Sequence, residues 1–308
     1  MFLIRYSKLS FCAFVFFAVT LSSCKKDPKV VPDNNAPYYA GVSTVKLENY
    51  VNRLFIDLIG REALKTELAN ESAFLRGNTL SIESRETLIA KLQTSTNYLP
   101  GDSSYKYAYH TRLFELSKAR LLEGAADSEF LYYKGLNDYA CIQDSLSGDS
   151  LSFRIKKEVS NKLLKAYHAK RDFMLDSITI NQYYSRLLDN AVYDVINMNS
   201  FNFIRATFND LFFRYPTSNE FDSSYEMVDT HIPAVLFGKS GQSKSNFLFI
   251  LTNSNEYHEG MVRWLYQTFL SRTPTNQELN AVTASFTADK DLLKAQRNIL
   301  KSDEYANF

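Results

Sequence analysis

Three times in this chain an arginine is followed six residues later by a glutamate and then at once by an apolar side chain. The three sets are Arg61, Glu67 and Leu68; Arg214, Glu220 and Phe221; and Arg272, Glu278 and Leu279. An aromatic ring stands six residues before each arginine, at Phe55, Phe208 and Tyr266. A guanidinium presents a planar fork of donors, so two chemistries are open to it: it can hold an anionic ligand, or it can grip a carboxylate of its own chain through two parallel hydrogen bonds. Arginine and glutamate flank one corner in each set. We expect them to brace that corner as an ion pair; an anion site built on the arginine is the rival reading.

Other residues with chemical potential are scattered. None of the four histidines (His110, His168, His231 and His258) lies within four residues of another, and no HExxH, CxxC or CxxCH occurs. No metal and no cofactor is expected. Gly238-Lys239-Ser240 has the ending of a phosphate-binding loop, but Pro233 stands where that loop needs its first glycine. The Gly-x-Ser-x-Gly elbow of serine hydrolases is missing. The 34 acidic side chains could still place two carboxylates for glycan cleavage, although nothing marks which two. Tyr105, Tyr107 and Tyr109 cannot all share one helix face, nor can Tyr132-Tyr133 or Tyr183-Tyr184, so some rings should reach solvent as platforms for sugars or proteins.

The elements that must position the arginines repeat with them. Val262, Leu265, Tyr266, Phe269 and Leu270 fall at helical spacing and make one buried stripe. Pro216 and Pro274 forbid continuation at the residue before them. Thr217 with Glu220, and Thr275 with Glu278, then read as capping boxes that open the next helix. The unit is helix, corner, capped helix. Copy one has Ala63-Leu64 in place of Pro-Thr, and a looser corner is expected there.

A second phrase also recurs: Ile250 to Tyr257 (ILTNSNEY) and Ile299 to Tyr305 (ILKSDEY), with Leu88 to Tyr98 (LIAKLQTSTNY) as a weaker version. Together the phrases resemble helical domains of unknown function in planctomycete-type secreted proteins. In those, a helix ending in Gly-Arg-x-Pro-Thr precedes an Arg-x-x-Leu-Ile-x-x-Leu helix and a Ser-x-x-Tyr close. Arg85, Leu88, Ile89, Leu92, Ser95 and Tyr98 match the second part. The Ser-x-Glu-Tyr of Ser254 to Tyr257, followed by Val262 to Tyr266, is similar to a related family of bacterial surface modules. The resemblance covers residues 47–115 and 200–308 and implies a fold, with no catalytic residues to carry over.

Glycine and proline are scarce after Thr44, and apolar residues recur at three and four. The pattern predicts helices over 44–59, 64–75, 81–96, 104–123, 127–146, 150–175, 179–198, 200–213, 217–236, 242–253, 259–271, 275–286 and 288–301, with no strand. The fold class is all-α, an irregular bundle of repeated helix–corner–helix units, with an N-terminal region at 44–199 and a C-terminal repeat region at 200–308. Residues 116–199 match no repeat copy. Ser147-Gly148-Asp149 divides them, and the basic side of Arg154 to Arg171 reads as a solvated helix face, with a partner-binding stripe as the alternative.

At the start, Arg5 and Lys8 precede an apolar run, Leu9 to Leu21, too short for a permanent span. The Leu21-Ser22-Ser23-Cys24 that follows resembles a bacterial lipobox, which implies a signal peptide over 1–23 and a lipidated Cys24. Lys25-Lys26-Asp27 is similar to the export signal of Bacteroidota-type surface lipoproteins. The resemblance implies an outer-membrane anchor, with surface exposure as the finer expectation. Pro28, Pro32 and Pro37 make 24–43 a tether able to span roughly 40 Å. With Cys12 removed and Cys24 acylated, only Cys141 of the three cysteines remains, so no intrachain disulfide is expected. With Arg5 and Lys8 removed from the 35 Lys and Arg, the mature chain sets 33 basic against 34 acidic side chains, which disfavours nucleic acid. The expectation is a lipid-anchored, extracytoplasmic helical scaffold or binding protein that docks an envelope protein. A polysaccharide-binding accessory protein is the alternative, and a glycan-cleaving enzyme the third reading.

Overall fold

The computed structural model describes residues 39–308; the signal segment, Cys24 and most of the expected tether lie outside the described residues. Within them the chain is all-α apart from one two-stranded hairpin. Helices α1 (Thr44–Leu58) and α2 (Lys65–Gly77) enclose the first corner, and α3 (Ile82–Thr94) and α4 (Tyr105–Leu121) pack beside them. A long hairpin follows, α5 (Asp127–Ser147) and α6 (Ser150–Tyr167), and then the short α7 (Ala169–Met174), α8 (Ile180–Leu188) and α9 (Ala191–Asn197). Helices α10 (Ser200–Phe212) and α11 (Ser218–Tyr225) flank the second corner. Next come a π-turn at Glu226–Thr230, strands β1 (Ala234–Leu236) and β2 (Lys239–Gly241), and α12 (Lys244–Thr252). Helices α13 (Asn255–Leu270) and α14 (Asn276–Asp289) hold the third corner, and α15 (Leu292–Leu300) and α16 (Asp303–Ala306) complete the described chain.

Short polar side chains set most helix starts. Ser43, Ser81, Ser104, Thr179, Ser243, Ser254 and Ser302 each accept a backbone N–H from the first turn. The helix expected over 179–198 is two helices, because the Asn190 side chain accepts from the N–H of Val192 and Tyr193 (2.9 and 3.3 Å) and starts a new one. The helix expected over 150–175 likewise divides at His168. The helix expected over 217–236 ends by Thr230, and Pro233 precedes the β-hairpin that the sequence reading missed. Gly238, at φ +72°, makes the turn between strands of three residues each, too short to show alternation. Gly238-Lys239-Ser240 is therefore a hairpin turn and strand, with no helix N-terminus for a phosphate.

One core serves residues 41–308. Helix α1 buries Leu47, Tyr50, Val51, Leu54, Phe55 and Leu58. The far end of the chain supplies part of that cover: the Tyr50 hydroxyl donates to Leu300 O (3.2 Å), the Tyr305 hydroxyl donates to Asp57 (2.8 Å), and the Tyr50 and Phe308 rings meet edge-on at 5.4 Å. Gln296 of α15 bonds Gln93 of α3 and accepts from the Tyr109 hydroxyl. Where α13 crosses α10, Gly260 is required, since a Cβ there would lie 1.8 Å from Leu211 O.

Candidate functional site

All three arginines grip their glutamates with two bonds. The Arg61 Nη1 and Nη2 atoms lie 2.7 and 2.9 Å from Glu67; Arg214 reaches Glu220 at 2.7 Å twice; Arg272 reaches Glu278 at 2.9 and 2.7 Å. The same glutamate oxygen that meets Nη1 also accepts the backbone N–H that opens the next helix, from Leu64, Thr217 or Thr275. Each arginine donates once more to the carbonyl of the residue after it, Glu62, Tyr215 or Thr273. One side chain thus ties the helix end, the corner and the next helix start together.

The sequence reading missed a second carboxylate on the outer edge of every arginine. Arg61 donates to Asp102 through Nε at 2.9 Å, Arg214 donates to Glu256, and Arg272 donates to Glu304 through Nε and Nη2 at 2.6 Å each. Glu256 and Glu304 are the glutamates of the Ser-x-Glu-Tyr phrases, so the two repeated signals are halves of one device. In the weaker copy that place is Asn97, and Asp102, five residues on, takes over. A partial signal was present: Glu256 and Glu304 stand at the same place in two copies of the second phrase. Asp303 of the closing phrase meets the fully buried Arg85 at 2.8 Å, so one phrase braces two arginines.

Electrostatics follow the geometry. Hydrogen bonds donated to Glu67, Glu220 and Glu304 lead in holding the protons of Arg61, Arg214 and Arg272 still more firmly than usual. Arg214 and Arg272 hold the carboxyls of Glu220 and Glu278 below the usual range, Glu278 at about 2. Burial pushes Glu67 upward, and its bonds from Arg61, Leu64 N and Tyr105 outweigh it, so this carboxyl too ends low. With both edges of each fork occupied, no arginine edge is left for an anion.

The expected looseness of copy one is corrected. Leu64 lacks the threonine hydroxyl, but the Tyr105 hydroxyl from α4 donates to Glu67 at 2.8 Å. The Glu67 side chain is 11% exposed, against 18% for Glu220 and 31% for Glu278, which makes this the most enclosed corner. The tyrosine expectation is corrected in part. Tyr107 and Tyr132 reach solvent, but Tyr183 and Tyr184 are both buried, because α8 lies inside the body with α4, α6, α7 and α12 around it.

Two further surfaces compete for a binding role. A cleft of about 460 Å³ between α6, α8 and α12 is lined by Asn161, Gln182, Ser185, Ser245 and Asn253 around the Phe249 ring, which is 61% exposed. Its acids, Glu158 and Asp189, both meet Lys162, at 3.2 and 3.1 Å. The second surface is the α5–α6 hairpin. Gly148 in the left-handed region and the Asp149 cap make its turn; Lys156 meets Asp144 at 2.9 Å, and Ser160 donates to Asp138 at 2.6 Å. Part of the basic side of α6 is thus used in holding α5. Cys141 is buried there, its thiol 3.7 Å from Phe153 O. On the outward side of α5, Tyr132, Leu136, Tyr139, Ile142 and Leu146 form an exposed apolar stripe at helical spacing, with Leu151 and Ile155 exposed just past the turn.

Among the described residues no group of three or more His, Cys, Asp or Glu is placed to hold a metal ion, and no helix is long and apolar enough to cross a membrane. No family model, curated protein or solved structure matches the chain.

Proposed function

We propose that this protein is a lipid-anchored, extracytoplasmic helical scaffold, non-catalytic, that docks another cell-envelope component through the α5–α6 hairpin. The observation that carries the reading is the exposed apolar surface between Leu131 and Ile155, which holds nine large apolar side chains 37–79% exposed. Contiguous apolar surface of this size on a soluble body marks an interaction face. The lipobox-like Leu21-Ser22-Ser23-Cys24 and the proline-bearing tether support the anchored, envelope-facing part of the reading, with the outer membrane as the destination. The internally braced corners supply the rigidity a scaffold needs. A photo-cross-linker at Ile155, in cells carrying the full chain, should capture one envelope protein reproducibly, and Cys24→Ala should release the protein from membranes. Absence of any protein adduct at Ile155 would remove the docking reading.

One observation favours the polysaccharide-binding alternative: the cleft around Phe249 combines an exposed ring with amides and hydroxyls, the groups that stack on and hydrogen-bond to sugars. Glycan-array binding that Phe249→Ala abolishes would support it. The cleavage reading draws less from the same cleft, because both of its acids are engaged by Lys162.

A further inference from the structure

The structure holds two glycines in the middle of long helices, and they differ in one respect. Gly260 of α13 lies under the backbone of α10, where any side chain would strike Leu211. Gly135 of α5 is exposed, and a Cβ built on it would meet nothing within 4 Å. A mid-helix glycine loses more backbone entropy on folding than alanine and is ordinarily avoided. At Gly260 the close helix crossing explains it; at Gly135 nothing in the molecule does.

Gly135 lies within the apolar stripe, beside Tyr132, Leu136 and Tyr139. From Leu131 to Leu146 the exposed positions of α5 are apolar, Gly135, Gln143 and Ser145; none is charged. Leu131, Tyr132, Leu136, Tyr139, Ile142 and Leu146 are 45–79% exposed along one helix, an apolar face to set against the roughly 800 Å² that each partner contributes to a stable interface. A twofold contact sets a patch against itself, so a patch suits it best when it carries no charge to repel its copy. The smallest residue is also close to the midpoint of Asp127–Ser147, where the axis of an antiparallel pair would pass. Ile142 and Leu146 also line a groove of about 420 Å³ that runs between α5 and α6 past Phe153.

Resting on the docking reading above, we infer that the occupant of the α5 stripe is a second copy of this chain, packed antiparallel across Gly135 with its rings beside Tyr132 and Tyr139. The dimer leaves Leu151 and Ile155, beyond the turn, for the envelope component.

The test uses two differently tagged full-length copies made in the same cells. A cysteine at Gly135 should give, on mild oxidation of intact cells, a product of twice the mass that carries both tags, while a cysteine at the exposed Lys46 should not. Without any cross-link, each tag should co-purify the other copy, and Gly135→Gln, which fits the isolated body, should cut that recovery at least tenfold with an unchanged helical circular-dichroism signal. Recovery unaltered by Gly135→Gln, or no cross-tag product at position 135, overturns the dimer. Photo-cross-links from Tyr139 to lipid alone would also overturn it, by placing the stripe in a membrane. Adducts at Ile155 that persist when the dimer test fails would leave the docking reading standing; loss of both would end both.

Discussion

The corners and the hairpin dispose of their chemistry in opposite ways. At the corners, three arginines that could have gripped ligands are each closed on both edges by carboxylates of the same chain. On the hairpin, six large side chains of α5 that could have joined the core face outward instead. The conspicuous repeated motif is thus where the molecule satisfies its own polar groups, and the unrepeated insert is where it leaves apolar side chains uncovered. Repetition here marks joints, and the exception to repetition carries the exposed apolar stripe.

The sharpest way to break that contrast is to place a methyl group on each mid-helix glycine. Gly260→Ala should lower stability by roughly 3 kcal/mol, because the new Cβ overlaps Leu211 O and two helices must separate. Gly135→Ala should instead raise it by about 0.5–1 kcal/mol in dilute solution, since it removes backbone entropy and meets nothing. Urea unfolding of both variants decides; similar losses at the two sites would mean that α5 is as enclosed as α13.

Next in size come the arginines. Replacement by methionine keeps the stem and leaves two carboxylates facing each other. We expect losses of about 1–3 kcal/mol, largest at Arg61, whose partners are most enclosed, and smallest at Arg272, whose partners are more exposed and better screened. Equal losses at all three would contradict the ranking by burial, and thermal melts of the three variants would show it.

A pH titration should separate the regions more gently. Glu278 is held at about 2 in the folded protein, against an ordinary 4.5, by its bonds from Arg272. The folded state therefore binds fewer protons than the unfolded chain, and the stability from this pair is complete above about pH 4.5 and fades as pH falls toward 2. His258, buried against Phe286 and facing Lys290, is lowered to about 4, so its neutral form adds a second loss as pH falls from 6.5. In urea midpoints taken from pH 7 to 3, Glu278→Gln should flatten the lower window and His258→Phe the upper. The smallest effect is expected on the hairpin: Leu136→Ser and Tyr139→Ser should leave the stability of the isolated body within ~0.5 kcal/mol while abolishing association, read by cross-tag co-purification.

Much of this was legible beforehand, for identifiable reasons. Capping threonines, corner prolines and the arginine–glutamate spacing are local devices, and their geometry depends on a few adjacent residues, so the three braced turns could be read from the chain. The outer carboxylates could not be placed, because Asp102, Glu256 and Glu304 stand 32 to 42 positions along the chain from their arginines and reach them only once the chain between has folded. The burial of both Tyr183 and Tyr184 was illegible for a related reason: the wet side of α8 is narrow, carried by Gln182, Ser185 and Arg186, and packing from α4, α6, α7 and α12 covers both rings. The β-hairpin failed on length. The outward stripe of α5 carries the spacing of an ordinary buried face, and periodicity alone does not say whether the other half of the contact lies in the same molecule.

The bond from Tyr50 to Leu300, and the rings of Tyr305 and Phe308 set against α1, have a bearing on how the protein is made. Ribosomes emit α1 early, yet part of its cover arrives some 250 residues later. Until then the opening helix has only the cover that α2, α3 and α4 give it, and the Tyr50 hydroxyl lacks its acceptor. Closure of this joint waits for residues near 300, and it ties the first of the described helices to the last.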